Sequence, residues 1–154
     1  MVLIKSISGV RGTVDNNCHQ GLSDFEVRNC VIQFAKVIVE DPSNDSTIAV
    51  GRDGRSSGAH IINLVISTLT RLGINVLNLD LTTTPSVQLA IINEYCCGGI
   101  MISASHNPIN WNGLKLLNSK GEFLSKSEGD KVFKFSTSRI KLSHSTGSIK
   151  NINY

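Results

Sequence analysis

Charged residues make up only 18% of this 154-residue chain and aromatics 5%. No apolar run approaches the roughly 20 residues that a bilayer-spanning helix needs. With 40% apolar residues and a mean hydropathy of +0.04, the chain is too apolar to stay disordered and too interrupted to enter a membrane. Fifteen basic against twelve acidic residues leave a net charge of +3, far below the dense basic face of a nucleic-acid binder. The four cysteines, Cys18, Cys30, Cys96 and Cys97, show no C-x-x-C spacing, and the start lacks the basic and apolar regions of a secretory signal. These absences point to a reduced, cytoplasmic protein in which the adjacent Cys96 and Cys97 are small buried hydrophobes rather than a redox pair.

What is present suits one domain, burying about two thirds of the surface its unfolded chain would expose. The charge is uneven: residues 1–112 carry seven Lys or Arg and nine Asp or Glu, and residues 113–154 carry eight and three. The second stretch reads as a solvated surface or linker. Apolar periodicity alternates between strand and helix, which predicts an α/β fold. Ser23 and Glu26 can form a capping box, with Leu22 and Val27 as a hydrophobic staple, for a helix whose stripe is Val27, Val31, Phe34 and Ile38, ending before Asp41-Pro42. A buried strand at 47–50 empties into Gly51-Arg52-Asp53-Gly54-Arg55, and Ser56 or Ser57 caps a second, well-buried helix that ends at Arg71-Leu72-Gly73. A strand at 75–81 follows, then a helix over 85–95 capped by Thr84 with Pro85 in its first turn, then a strand at 98–103. A short strand at 113–117, a turn at 118–121 and a helix at 125–135 with the capping box Ser125/Glu128 complete the ordered part. From Ser136 onward the composition predicts a loose linker.

The densest polar cluster, Ser103-Ala104-Ser105-His106-Asn107-Pro108, directly follows a glycine and aliphatic strand, the position at which open α/β sheets bind ligands. A nucleophilic serine is one reading. The hydrolase elbow G-x-S-x-G is absent, however, and the adjacent His106 is poorly placed to serve Ser105 as base. A rigid turn satisfied by its own side chains is the other reading. Three further stretches favour an anion site: Ser8-Gly9-Val10-Arg11-Gly12, Gly51-Arg52-Asp53-Gly54-Arg55-Ser56-Ser57 and Asn112-Gly113-Leu114-Lys115 each set cations or hydroxyls among glycines, in what read as loops. Arg52 and Asp53 read as a turn-fixing pair. His19, His60 and His144 lack partners at metal-ligand spacing and read as ordinary surface or helix residues.

Together these stretches resemble the α-D-phosphohexomutase family. Ser105-His106-Asn107-Pro108 is similar to its phosphoserine loop, and the other three stretches, with Thr84-Pro85, fall in order where the family has its landmarks. Ile4 to Thr13 and Trp111 to Asn118 look most like the bacterial phosphoglucosamine mutase branch. The resemblance implies a three-layer α/β/α sandwich with a mixed, mostly parallel sheet. It implies domain I over 1–136, a polar linker or tail over 137–154, and absent domains II to IV as partners. It also implies that Ser105, once phosphorylated, transfers its phosphoryl group to a hexose phosphate, glucosamine 6-phosphate to glucosamine 1-phosphate, through a sugar 1,6-bisphosphate. Phosphomannomutase or phosphoglucomutase activity and a noncatalytic phosphosugar-binding module are the alternatives.

On this resemblance Lys115 handles the hydroxyl proton as general base or acid, Arg11 binds the phosphoryl oxygens, and His106 and Asn107 shape the loop. His106 could instead carry the proton. Lys115, Arg11 and Asn107 would also bind substrate. Mg²⁺ would meet Ser105 through its phosphoryl oxygen; the family's Asp-Gly-Asp-x-Asp-Arg loop has no counterpart, since no two aspartates here lie two residues apart. The isolated chain is therefore expected to be nearly inactive, and to self-associate through apolar surface that other domains would cover.

Overall fold

The computed structural model describes residues 2–14, 21–39, 46–134 and 145–154. They build one seven-stranded sheet from Leu3–Ser6 (β1), Gly9–Thr13 (β2), Thr47–Arg52 (β3), Asn75–Leu81 (β4), Gly98–Ile102 (β5), Trp111–Asn118 (β6) and Ile149–Asn151 (β7), in the order β1-β2-β6-β5-β3-β4-β7. Four helices cover it: Asp24–Ile38 (α1), Gly58–Arg71 (α2), Thr84–Asn93 (α3) and Lys126–Lys134 (α4). Strand alternation sorts the core into two layers. Ile48, Val50, Ile100, Ile102, Leu114 and Leu116 pack with Phe34, Val65 and Val132 from α1, α2 and α4. Ala49, Met101 and Leu117 pack on the other face with Val87, Ala90 and Ile91 of α3. The architecture is the α/β/α sandwich with a mixed sheet that the family resemblance implies.

Local chemistry explains most element ends. Ser23 caps α1, its hydroxyl accepting from the Glu26 N–H at 3.3 Å, and Gly73 with φ +79° turns the chain after α2. Around α4 the capping box closes both ways: the Ser125 N–H donates to Glu128 Oε2 at 2.7 Å and the Glu128 N–H to Ser125 Oγ at 3.3 Å. That backbone donor also holds the Glu128 carboxyl below its ordinary pKa. Elsewhere tertiary partners override the expected caps. Glu26 pairs with Lys5 at 3.1 Å, and Ser57 Oγ accepts from Asn112 Nδ2 at 2.9 Å while standing at the α2 N-terminus. Thr83 rather than Thr84 caps α3, accepting from the Ser86 N–H at 3.3 Å.

Three further expectations are corrected. The segment around Arg11 is not a loop but β2, paired antiparallel with β1 and β6, whereas Asn112 to Lys115 lies within β6, in keeping with the strand expected at 113–117. Parallel pairings do not predominate: β3–β4, β3–β5 and β4–β7 are parallel and β1–β2, β2–β6 and β5–β6 antiparallel. The extra antiparallel pairs come from the β1–β2 hairpin, which needs no crossover helix. In the tail, residues 149–151 pair with β4, so that part is a strand of the sheet; residues 137–144 of the expected linker lie outside the described residues. His19, His144 and Cys18 also lie outside them. Cys96 is buried and its thiol is pushed up to about 11 by desolvation, and exposed His60 bonds Asp24 at 2.8 Å.

Phe34 is fully buried in the larger core layer and Phe25, on the same helix, is 72% exposed. Phe34→Ala is expected to lower unfolding free energy by about 3–5 kcal/mol and Phe25→Ala by no more than about 0.5 kcal/mol, read from urea denaturation midpoints.

Candidate functional site

The site follows from strand register. β5 ends at Ile102, and the 103–110 loop returns the chain into antiparallel β6, where Lys115 stands opposite Met101 on one side and opposite Gly9 of β2 on the other. Lys115 therefore shares the face of Met101 and Leu117, the face that α3 covers over β3 and β5. Beyond α3 that face opens as a cleft of about 250 Å³ lined by Ser6, Ser8, Arg11, Ser105 and Lys115. Arg11 reaches it from β2, opposite Gly113.

At the loop tip Ser105 is exposed and adopts φ +51°, a left-handed conformation uncommon for a serine. Its N–H donates to Ser103 Oγ at 3.0 Å, and its Oγ accepts from Lys115 Nζ at 2.7 Å. Lys115 is half-buried, and desolvation lowers its pKa from the ordinary lysine value while the Asp53 carboxylate pulls it back up. An amine of that kind exchanges its proton more readily near neutral pH than a solvated lysine. Arg11 is exposed, and its Nη1 donates to Asn107 Oδ1 at 3.4 Å. The structure thus brings Ser105, Lys115, Arg11 and Asn107 together. His106 is exposed on the same loop but does not line the cleft.

Sequence reasoning placed Arg55 in a glycine-bearing cationic stretch and gave it no role of its own. Its guanidinium donates to the backbone carbonyls of Ser105, Asn107, Pro108 and Trp111 at 2.8, 2.7, 2.6 and 2.9 Å. Asp53 holds it in turn, its Oδ1 accepting from the Arg55 N–H at 3.1 Å and its Oδ2 standing 3.5 Å from Nε. Arg52 pairs separately with Asp80 at 2.7 Å. An arginine between glycine and serine in a polar loop gave the only sequence signal, and it does not say which carbonyls lie 50 residues on.

Among the described residues no group of three or more His, Cys, Asp or Glu could hold a metal ion. Asp53, the carboxylate that acts on Lys115, is engaged by Arg55. A Mg²⁺ site does not fit the donor set of the described residues, because that ion needs several oxygen ligands in near-octahedral array.

Comparison with known proteins agrees with the fold. The family described as phosphoglucomutase/phosphomannomutase, alpha/beta/alpha domain I, matches residues 4–141. The chain is 41% identical over 100 residues to a phosphoglucosamine mutase of Sulfurovum sp., covering 65% of this chain and 21% of that protein. It is 36% identical over 126 residues to one of Nautilia profundicola, covering 82% and 27%. The chain therefore spans about a quarter of the curated relatives it matches. Among solved structures, a Thermus thermophilus protein named as a phosphomannomutase superposes with TM-score 0.79 at 18% identity, covering 98% of this chain and 33% of that one. A phosphoglucomutase/phosphomannomutase family protein of Burkholderia thailandensis gives TM-score 0.72 at 18% identity, covering 97% and 34%. At that identity the likeness is one of fold.

Because the Asp53 charge favours the Lys115 ammonium, Asp53→Asn is expected to lower the Lys115 pKa further. An NMR titration of the Lys115 side-chain methylene resonances checks the direction.

Proposed function

The chain belongs to the phosphoglucomutase/phosphomannomutase family as its α/β/α domain I, and from that premise we propose that Ser105 is its phosphoryl carrier. The reaction is transfer between the 6- and 1-positions of a hexose phosphate, with glucosamine 6-phosphate and glucosamine 1-phosphate as the pair, as the names of the relatives suggest. The observation that carries this reading is the 2.7 Å contact from Lys115 Nζ to Ser105 Oγ, on an exposed loop above a cleft that Arg11 also lines.

Phosphoserine 105 would carry about −1.5 to −2 charges, and Arg11 and Lys115 supply opposite charge on the same face. When a sugar hydroxyl attacks the phosphorus, the new O–P bond forms as the bond from phosphorus to Ser105 Oγ breaks. The hydroxyl loses a proton and Ser105 Oγ gains one. Lys115 balances that exchange: its ammonium gives a proton to the departing serine oxygen, and the amine then accepts the one released by the hydroxyl. Desolvation makes the first of these transfers easier by lowering the Lys115 pKa. Arg11 binds the phosphoryl oxygens bidentately as charge spreads over them. The product is a sugar 1,6-bisphosphate, which turns over in the site and returns its other phosphoryl group to Ser105. Asn107, bonded to Arg11, holds that guanidinium over the loop.

Mg²⁺ belongs to this reading as neutralising charge on the phosphoryl oxygens, but its ligands and the sugar-reading surface would come from domains II to IV. A charged hexose phosphate does not cross a bilayer unaided, which suits a reaction in the cytoplasm.

The test is phosphate transfer from a hexose 1,6-bisphosphate to this chain with domains II to IV of a relative supplied, followed by peptide mapping. Phosphate on Ser105, absent in Ser105→Ala and slowed about 10²–10⁴-fold in Lys115→Met, is the expected result. The 154 residues alone are expected to interconvert glucosamine phosphates little or not at all. An unlabelled Ser105 in the presence of those domains would leave a noncatalytic phosphosugar-binding module instead.

A further inference from the structure

Arg55 lies outside the cleft that holds Ser105, Lys115 and Arg11. It lines a separate hollow with Asp53, Ser105, Asn107 and Ile109, and its side chain is only 10% exposed. Four carbonyl oxygens of one short loop, those of Ser105, Asn107, Pro108 and Trp111, converge on its guanidinium. Two of the loop's N–H groups close turns within it, Asn107 onto the Ala104 carbonyl at 3.0 Å and Trp111 onto the Pro108 carbonyl at 2.9 Å.

Each carbonyl bound by Arg55 turns its negative end onto that cation. Left free to rotate, those oxygens could face the cleft and repel a phosphoryl dianion on Ser105. The same grip holds Ser105 at φ +51°, a conformation that surrounding structure must enforce in a residue with a Cβ. Only a guanidinium has the planar array of five donors to collect several carbonyls at once; an ammonium is a point charge on a flexible stem. Asp53 completes the arrangement by balancing the charge of Arg55 from the far side.

We infer that Arg55 is a positioning residue for phosphoryl transfer, which clamps the carbonyls of the 105–111 loop away from the cleft and so fixes Ser105 Oγ against Lys115. The inference rests on Ser105 being the carrier. It assigns Arg55 no contact with the sugar or with the phosphoryl group.

The test uses the chain with phosphoserine incorporated at position 105 during translation, as wild type, Arg55→Lys and Arg55→Gln, beside the unphosphorylated forms. In wild type the dianion is expected to raise the Lys115 pKa, read from its side-chain methylene resonances. In variants that keep the native far-UV circular dichroism, that rise is expected to be mostly lost, because the loop no longer holds the phosphoryl group at Lys115. An equal rise in a folded variant overturns the inference. So does loss of the native spectrum in both variants, which would make Arg55 a prop for the whole domain. With domains II to IV supplied, phosphate uptake from a hexose 1,6-bisphosphate should fall about 10- to 100-fold, the range expected for losing hydrogen bonds to a charged group, with the bisphosphate KM little changed. A wild type that takes up no phosphate overturns the carrier reading, while the Lys115 titration still decides the role of Arg55.

Discussion

The antiparallel register between β5 and β6 is the constraint on which the rest depends. It sets Lys115 opposite Met101 and Leu114 opposite Ile102, so Leu114 and Leu116 enter the core beneath α1 and α2 while Lys115 faces the other way. A slip of one residue would reverse every side chain. Lys115 would then point into a layer whose members are almost wholly buried, where an unpaired ammonium costs far more than the sheet pairing returns. The apolar layer thus pins the register, and the register aims the lysine. Packing and chemistry are set by the same row of alternating residues.

The sheet divides its work along its width. Its parallel half, β5-β3-β4, is covered on both faces and carries α3. Its antiparallel half, β1-β2-β6, leaves the α3 side open next to the loop that follows β5. Parallel strands require crossovers that place helices on the faces, whereas a hairpin does not, and antiparallel sheets can tolerate one wet face. The cleft lined by Arg11 and Lys115 accordingly sits where the topology lets a face remain bare.

Legibility from sequence followed the strength of local signals. The α4 capping box, the Val27-to-Ile38 stripe and the aliphatic strands β3 and β5 were readable because propensity, period and burial agree there. The strand β2 was hidden: two of its five residues are glycine and Arg11 is exposed, so neither period nor β-propensity marks it, and its pairing with β6 decides its state. The three-residue β7 was hidden likewise, an exposed Ile-Lys-Asn run that is a strand only because β4 offers an edge. At the site, Ser105 stood out in a polar cluster after a strand and Arg11 and Lys115 as cations beside glycines, while their roles rested on the family resemblance. The role of Arg55 was not legible, because it lies in side-chain bonds to backbone atoms more than 50 residues away, and composition carries no trace of those.

The distribution of charge around the cleft argues for what this chain can and cannot do alone. Among the described residues its lining includes Arg11 and Lys115 and no carboxylate. Asp53, in the loop after β3, is paired with Arg55, and Asp80, in β4, with Arg52. The Asp53 charge still reaches Lys115, but its pairing with Arg55 engages oxygens that a divalent cation would need. On the proposed reading, in which Ser105 carries a phosphoryl group, the metal ligands would come from outside the described residues, which fits a chain that spans about a quarter of the relatives it matches.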